Sequence, residues 1–219
     1  MFQMIGYDFS RPRKVSNLEE FLRAKCGDGV NLLNGPWLLD ATQLPAQVLN
    51  NLRGHLAAVE QDDYKLIVTR IHMGEIGTGR SNVAQPLVTK KGNRVLAVAY
   101  TLRQPPTPKE RDFELGKKDP AYLEAVKVHK KKMAAYKARY DRLLRTMKSF
   151  DDACSPVEAL WFVSTNQTAR DLHIQIESTA RLSPSDELFV SEVNTSSTGA
   201  EAGLETADHN WLLDHHVIH

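Results

Sequence analysis

Met4-Ile5-Gly6-Tyr7-Asp8-Phe9, near the start of the chain, is echoed by Ala97-Val98-Ala99-Tyr100-Thr101-Leu102. A polar turn containing proline follows each: Ser10-Arg11-Pro12 after the first, Arg103-Gln104-Pro105 after the second. Working outward, Trp37-Leu38-Leu39-Asp40-Ala41-Thr42-Gln43 is matched by Trp161-Phe162-Val163-Ser164-Thr165-Asn166-Gln167, and Leu66-Ile67-Val68 by Leu188-Phe189-Val190. Three blocks repeated in one order predict two copies of a single supersecondary unit. The copies differ at one chemically weighty position, where Asp8 becomes Thr101.

Local signals fill in the first copy. Residues 3–9 read as a buried strand. Ser16-Asn17-Leu18-Glu19 has the spacing of a capping box, predicting a helix to about Cys26, stopped by Gly27 and Gly29. Asn34-Gly35-Pro36 is a turn between the strands Val30–Leu33 and Trp37–Ala41. Pro45 opens a second helix with Val48, Leu52 and Leu56 on one face, and Tyr64–Ile71 closes the unit as a strand. The order is the ferredoxin-like βαββαβ arrangement. The expected fold class is therefore α+β: two tandem ferredoxin-like units forming an intrachain pseudo-dimer. The first occupies residues 1–92, with an extra strand at Val83–Thr89, and the second residues 93–219.

The second copy carries a long segment that the first lacks. After the Pro-rich connector Gln104-Pro105-Pro106-Thr107-Pro108, Asp119-Pro120 is a strong helix start, and nothing breaks the helix before Phe150. Tyr122, Val126, His129, Met133, Tyr136, Tyr140, Leu143, Met147 and Phe150 step by fours and threes, a heptad seam. The expectation is a long helix, 119–150, inserted in the second unit, its N-terminal half projecting or folding back as an arm.

Charge is segregated along the chain. The net formal charge is only +1, yet residues 103–150 hold 14 basic and 6 acidic side chains, while 151–219 hold 2 basic and 12 acidic. Local potential, not the sum, governs what approaches a surface. Lys127, Lys130, Lys131, Lys132, Lys137, Arg139, Arg142 and Arg145 make the long helix a candidate for nucleic-acid backbone. The acidic tail is the competing, intramolecular partner, and the seam offers a homo-oligomer or a protein partner.

Other signals are weaker. Gly74-Glu75-Ile76-Gly77-Thr78-Gly79-Arg80-Ser81 has phosphate-loop spacing, but the strand-like Val83-Ala84-Gln85-Pro86 follows where a helix is needed. His215, His216 and His219 read as solvated terminal histidines, and residues 194–208 as a mobile connector. Cys26 and Cys154 form no disulfide framework, so a reducing cytoplasm is the default, and no apolar run is long enough for a membrane.

The first copy resembles the family of CRISPR-associated protein 2 and its small relatives, such as the VapD-type ribonucleases. Carrying the resemblance are Tyr7-Asp8, the segment Arg11–Lys14, the apolar strand into Gln43, and Asp62-Asp63-Tyr64-Lys65-Leu66-Ile67-Val68. It covers roughly 140 residues over both copies, leaving out the long helix and tail. It implies paired sheets and an aspartate from each, proposed in the family to hold a divalent metal for phosphodiester cleavage. Here that assigns Asp8 as the catalytic and metal residue, with Mg²⁺ or Mn²⁺. Thr101 stands where its partner acid belongs, and one carboxylate with a hydroxyl is a poor cage.

The function expected on these grounds is nucleic-acid binding in a bacterial or phage-related defence or mobile-element system, without robust catalysis. DNA and RNA remain equal candidates, and the contacts would be Arg11, Arg13 and Lys14 with the helix residues Lys127–Arg145. The alternatives are a metal-dependent endonuclease using Asp8 and a scaffold that assembles through the long helix.

Overall fold

The computed structural model describes residues 2–9, 18–31, 36–58, 64–72, 94–194 and 199–218. Strands β1 (Phe2–Phe9), β2 (Asp28–Asn31), β3 (Trp37–Asp40) and β4 (Tyr64–His72) alternate with helices α1 (Leu18–Lys25) and α2 (Pro45–Ala58). Then come β5 (Arg94–Thr101), α3 (Pro120–Lys148), β6 (Ala153–Val157), β7 (Leu160–Thr165), α4 (Ala169–Ala180) and β8 (Glu187–Val193). A short strand β9 (Ala200–Ala202) and helix α5 (Thr206–Asp214) end the chain.

This corrects the expected fold class. Two tandem ferredoxin-like units facing each other as an intrachain pseudo-dimer are not what the strands make. Eight strands hydrogen-bond, all antiparallel, into one sheet of order β2-β3-β1-β4-β8-β5-β7-β6, with β9 added on β4. The decisive seam is β4–β8, where Ile71 pairs with Val193 and His72 with Glu192. The rest of that edge of β4 is taken by β9, with Leu66 opposite Ala202 and Val68 opposite Ala200. The physical reason is that an unpaired strand edge leaves backbone donors and acceptors without partners, and joining the edges removes that liability.

Both faces of the central strands are buried. In β5, Val95, Ala97 and Ala99 enter one core, and Leu96, Val98 and Tyr100 the other, which is the alternation a strand imposes. One cluster packs α1 and α2 against Ile5, Leu39, Leu66 and Val68. A second packs α3 and α4 against Leu96, Val98, Val163 and Val190. A third mixes both ends of the sheet: Met4, Leu38, Ile67 and Ile71 meet Ala97, Leu160, Phe162 and Val193. The sheet therefore doubles back on itself. A Cβ at Gly6 in β1 would lie 2.5 Å from Leu160 Cδ2 and 2.8 Å from Val157 Cγ2.

The long helix is not an insertion. α3 is the crossover between β5 and β6, packs on α4, and buries Leu143, Thr146 and Met147. Asp119 caps it, Oδ1 accepting from Ala121 N at 2.8 Å, with Pro120 in the first turn. Its N-terminal half is not a bare arm either. The connector lies along the seam: Phe113 meets the Tyr122 ring edge-on at 5.3 Å, and Gln104 Nε2 donates to Tyr136 Oη at 3.3 Å. Seam residues such as Val126, Met133 and Tyr136 are half-buried while their flanking lysines are exposed.

Part of the segment expected as a connector, 194–208, instead forms the strand β9. β9 pairs with β4, and Leu212, Val217 and Ile218 complete the shared core. Among the described residues no helix is long and apolar enough to cross a membrane. The residues Ser16 and Asn17, the turn at Asn34-Gly35, the phosphate-loop-like 74–81 and the extra strand 83–89 lie outside the described residues.

Candidate functional site

Tyr7-Asp8 and Tyr100-Thr101, the echoed pairs at the ends of β1 and β5, line one cleft of about 680 Å³. Tyr136 and Tyr140 of α3 form another wall, and Arg103 and Gln104 contribute as the chain leaves β5. The remaining wall holds Glu158 and Ala159, from the β6–β7 turn, with Ser185 and Glu187 at the entry to β8. Asp8, Glu158 and Glu187 are exposed, Tyr136 and Tyr140 half-buried. Tyr100 is 5% exposed.

Two local devices set this geometry. Val157 pairs with Leu160, so Glu158 and Ala159 form a two-residue turn. Ala159 sits in the left-handed region at φ 60, and its carbonyl accepts from Tyr100 N at 3.3 Å. Asp186 is the second device, its side chain fully covered. Its carboxylate accepts from Arg103 N at 3.0 Å and Ser183 N at 2.8 Å, and pairs with Arg139 Nε at 3.0 Å. Burial works against its charge, but the bonds from Ser183 and Arg103 and the Arg139 charge leave its pKa below the ordinary 3.8. Asp186 thus ties the exit of β5, the entry of β8 and α3 together.

The phenols respond to this setting. Burial, with the negative potential of Tyr140 and Glu158, pushes Tyr100 from 10.0 up to about 12. Tyr140 is raised by burial first and by Glu158 next. Glu158 therefore bears on both rings.

On the far side of α3 the surface is cationic. Lys127 lies nine residues before Tyr136 and Lys131 nine before Tyr140, two and a half turns in each case, so the pairs point in opposite directions. Lys127, Lys130, Lys131, Lys132, Lys137 and Arg145 are exposed. Lys127 makes a solvent-exposed pair with Glu124 at 3.8 Å. No ion pair is recorded among the described residues for Lys130, Lys131, Lys137 or Arg145. Arg139 and Arg142, grouped with them on sequence, are structural ties: Arg139 to Asp186, and Arg142 Nε to Ala180 O at 3.1 Å.

Arg11, Arg13 and Lys14 lie outside the described residues. The metal reading finds a sparse donor set in Asp8 and Thr101, one carboxylate and one hydroxyl. Among the described residues no three His, Cys, Asp or Glu are grouped to hold a metal ion. Cys26 and Cys154 are buried, which raises both thiols.

His215 is not a solvated tail residue. It is 8% exposed and stacks on Trp211, ring centroids 3.8 Å apart. Its partner Asp152, like Asp186, Glu158 and Glu187, carries no local sequence signal for its role. Nothing short of the tertiary pairing reveals these four. No family model, curated protein or solved structure matches the chain.

Proposed function

We propose that this protein binds nucleic acid through phosphate contacts along the outer face of α3. The observation that carries this reading is a run of exposed cations, from Lys127 to Arg145, without carboxylate partners on most of them. At about 1.5 Å per residue the run spans roughly 27 Å, enough to follow several phosphates. The helix is held at both ends, by its Asp119 cap and by the buried Leu143 and Met147, so the charges are presented on a rigid element. The acidic segment 151–219 engages one cation of the helix, Arg139, through Asp186 at 3.0 Å, while its Asp152 pairs with His215 and its Glu205 with Lys65 at 2.6 Å. A setting in bacterial or phage-related defence, or in a mobile element, rests on the resemblance of the Tyr7-Asp8 strand.

Fluorescence anisotropy with single-stranded and duplex DNA and RNA, across a salt series, tests the reading. Log affinity should fall linearly with log salt, by about 0.9 per phosphate contact on duplex DNA and about 0.7 on single strands. Lys127→Glu with Lys131→Glu should weaken binding to every sequence alike and flatten the slope. Binding that these changes leave intact overturns the proposal. Adding Mg²⁺ or Mn²⁺ to the same samples addresses the endonuclease alternative, which Asp8 favours by lying at the cleft. Cleavage that is lost in Asp8→Ala would establish it.

A further inference from the structure

We propose that the cleft between the ends of β1 and β5 binds an organic cation, an ammonium or guanidinium group, between its tyrosines and the carboxylates of Asp8, Glu158 and Glu187. This site is separate from the lysine face of α3, and its fate does not depend on nucleic-acid binding.

The composition of the walls carries the inference. Four of the chain's six tyrosines line this one cavity. Among the described residues three carboxylates share it with one cation, Arg103, a balance that favours positive charge over anions. Tyrosine faces carry negative potential and attract ammonium and guanidinium groups lying over them. Asp8, Glu158 and Glu187 come from β1, the β6–β7 turn and β8, and among the described residues they are not grouped closely enough to hold a metal ion. Such spacing suits an extended cation, with a charged end at a carboxylate and its apolar or planar body along the rings. A compact metal ion needs its ligands gathered at about 2 Å. At about 680 Å³ the cavity lies within the usual range for small-ligand sites. The walls are also fixed in advance: Asp186 anchors Arg103 and α3, and the Glu158–Ala159 turn is locked by the bond from Tyr100 N.

Two sources supply this chemistry, a free polyamine or the side chain of an arginine in a peptide. Titration calorimetry of the full chain with spermidine, with acetyl-Ala-Arg-Ala-amide and with its citrulline counterpart separates them. Saturable one-to-one binding of spermidine or the arginine peptide, at least tenfold weaker in Glu158→Gln and in Asp8→Asn, is the expected result. Whichever probe binds names the source. Glu124→Gln, an exposed acid on α3 outside the cleft, should leave it unchanged. The bound cation should also lower the pH at which the most resistant tyrosine ionises, read by absorbance near 295 nm. The proposal is overturned if neither probe saturates at millimolar concentration, if citrulline binds as well as arginine, or if Glu158→Gln and Asp8→Asn bind like the parent. Stoichiometric displacement of spermidine by equimolar Mg²⁺ overturns it as well.

Discussion

Asp152 and His215 stand 63 residues apart in the chain and meet at 3.1 Å, Oδ2 to Nε2. The other oxygen of Asp152 accepts from Trp211 Nε1 at 2.9 Å, and His215 Nδ1 faces Trp211 O at 2.8 Å. A carbonyl and a carboxylate can only accept, so both ring nitrogens of His215 face acceptors. The cluster fastens α5, and with it Leu212, Val217 and Ile218, over the shared core.

Loosening this latch has a calculable cost. Hydrogen bonds to charged groups contribute about 1.5–3 kcal/mol each, so Asp152→Ala should destabilise the chain by about 2–4 kcal/mol in urea unfolding. Burial disfavours the Asp152 carboxylate, but the bonds from His215 and Trp211 and the His215 charge outweigh it, and its pKa is lowered from 3.8. A depressed carboxyl stabilises the fold above its unfolded value and stops doing so as pH falls through the folded value. Stability of the parent should therefore drop below about pH 4, and that drop should be smaller in Asp152→Asn. An identical acid profile for the two proteins would remove the latch from the account.

Gly6 marks the closest approach across the doubled sheet. An added methyl group meets Leu160, Val157 and Ile67 within 2.9 Å, and overpacking of this kind costs about 1–3 kcal/mol. Gly6→Ala should lower the unfolding free energy in a urea titration by that amount and leave the far-ultraviolet circular dichroism unchanged. A neutral result would mean that the two faces pack less tightly than the geometry states.

Asp186 is expected to be the most sensitive acid in the protein. Removing it leaves Arg139 beside a vacated, covered position and frees the amides of Ser183 and Arg103. Breaking a buried pair from one side costs about 3–5 kcal/mol. Asp186→Ala should cost that much in chemical denaturation. Arg139→Ala, which keeps the amide bonds to Asp186, should cost less.

Ala159 should improve on substitution. Its left-handed conformation costs an L-residue about 1–2 kcal/mol, which glycine avoids. Ala159→Gly should raise the thermal midpoint slightly, with the turn and cleft unchanged. A loss of stability would show that the methyl group's packing against the helix-covered core outweighs its backbone strain.

Much was readable from residues alone, and for local reasons. Asp119-Pro120 announces a helix start because capping and a missing amide act within one turn. The apolar runs at 4–6, 37–39, 66–68 and 95–100 announce strands because burial on two faces leaves no polar alternation. The repeated blocks place Tyr7-Asp8 and Tyr100-Thr101 at the ends of β1 and β5, where both do line the cleft. The cationic face of α3 follows from helical periodicity, although Arg139 and Arg142 turned out to serve the fold.

What periodicity could not reach is how strand edges and tails find one another. A heptad seam looks the same whether a second helix or the chain's own connector covers it, and here Phe113 and Gln104 do so. A terminal histidine looks solvated until Asp152 arrives from 63 residues away. The β4–β8 seam, one sheet in place of two, and the carboxylate set of the cleft are all long-range pairings. Their selection depends on which edges and faces can be withdrawn from water together, a property of the assembled body that no window of sequence contains.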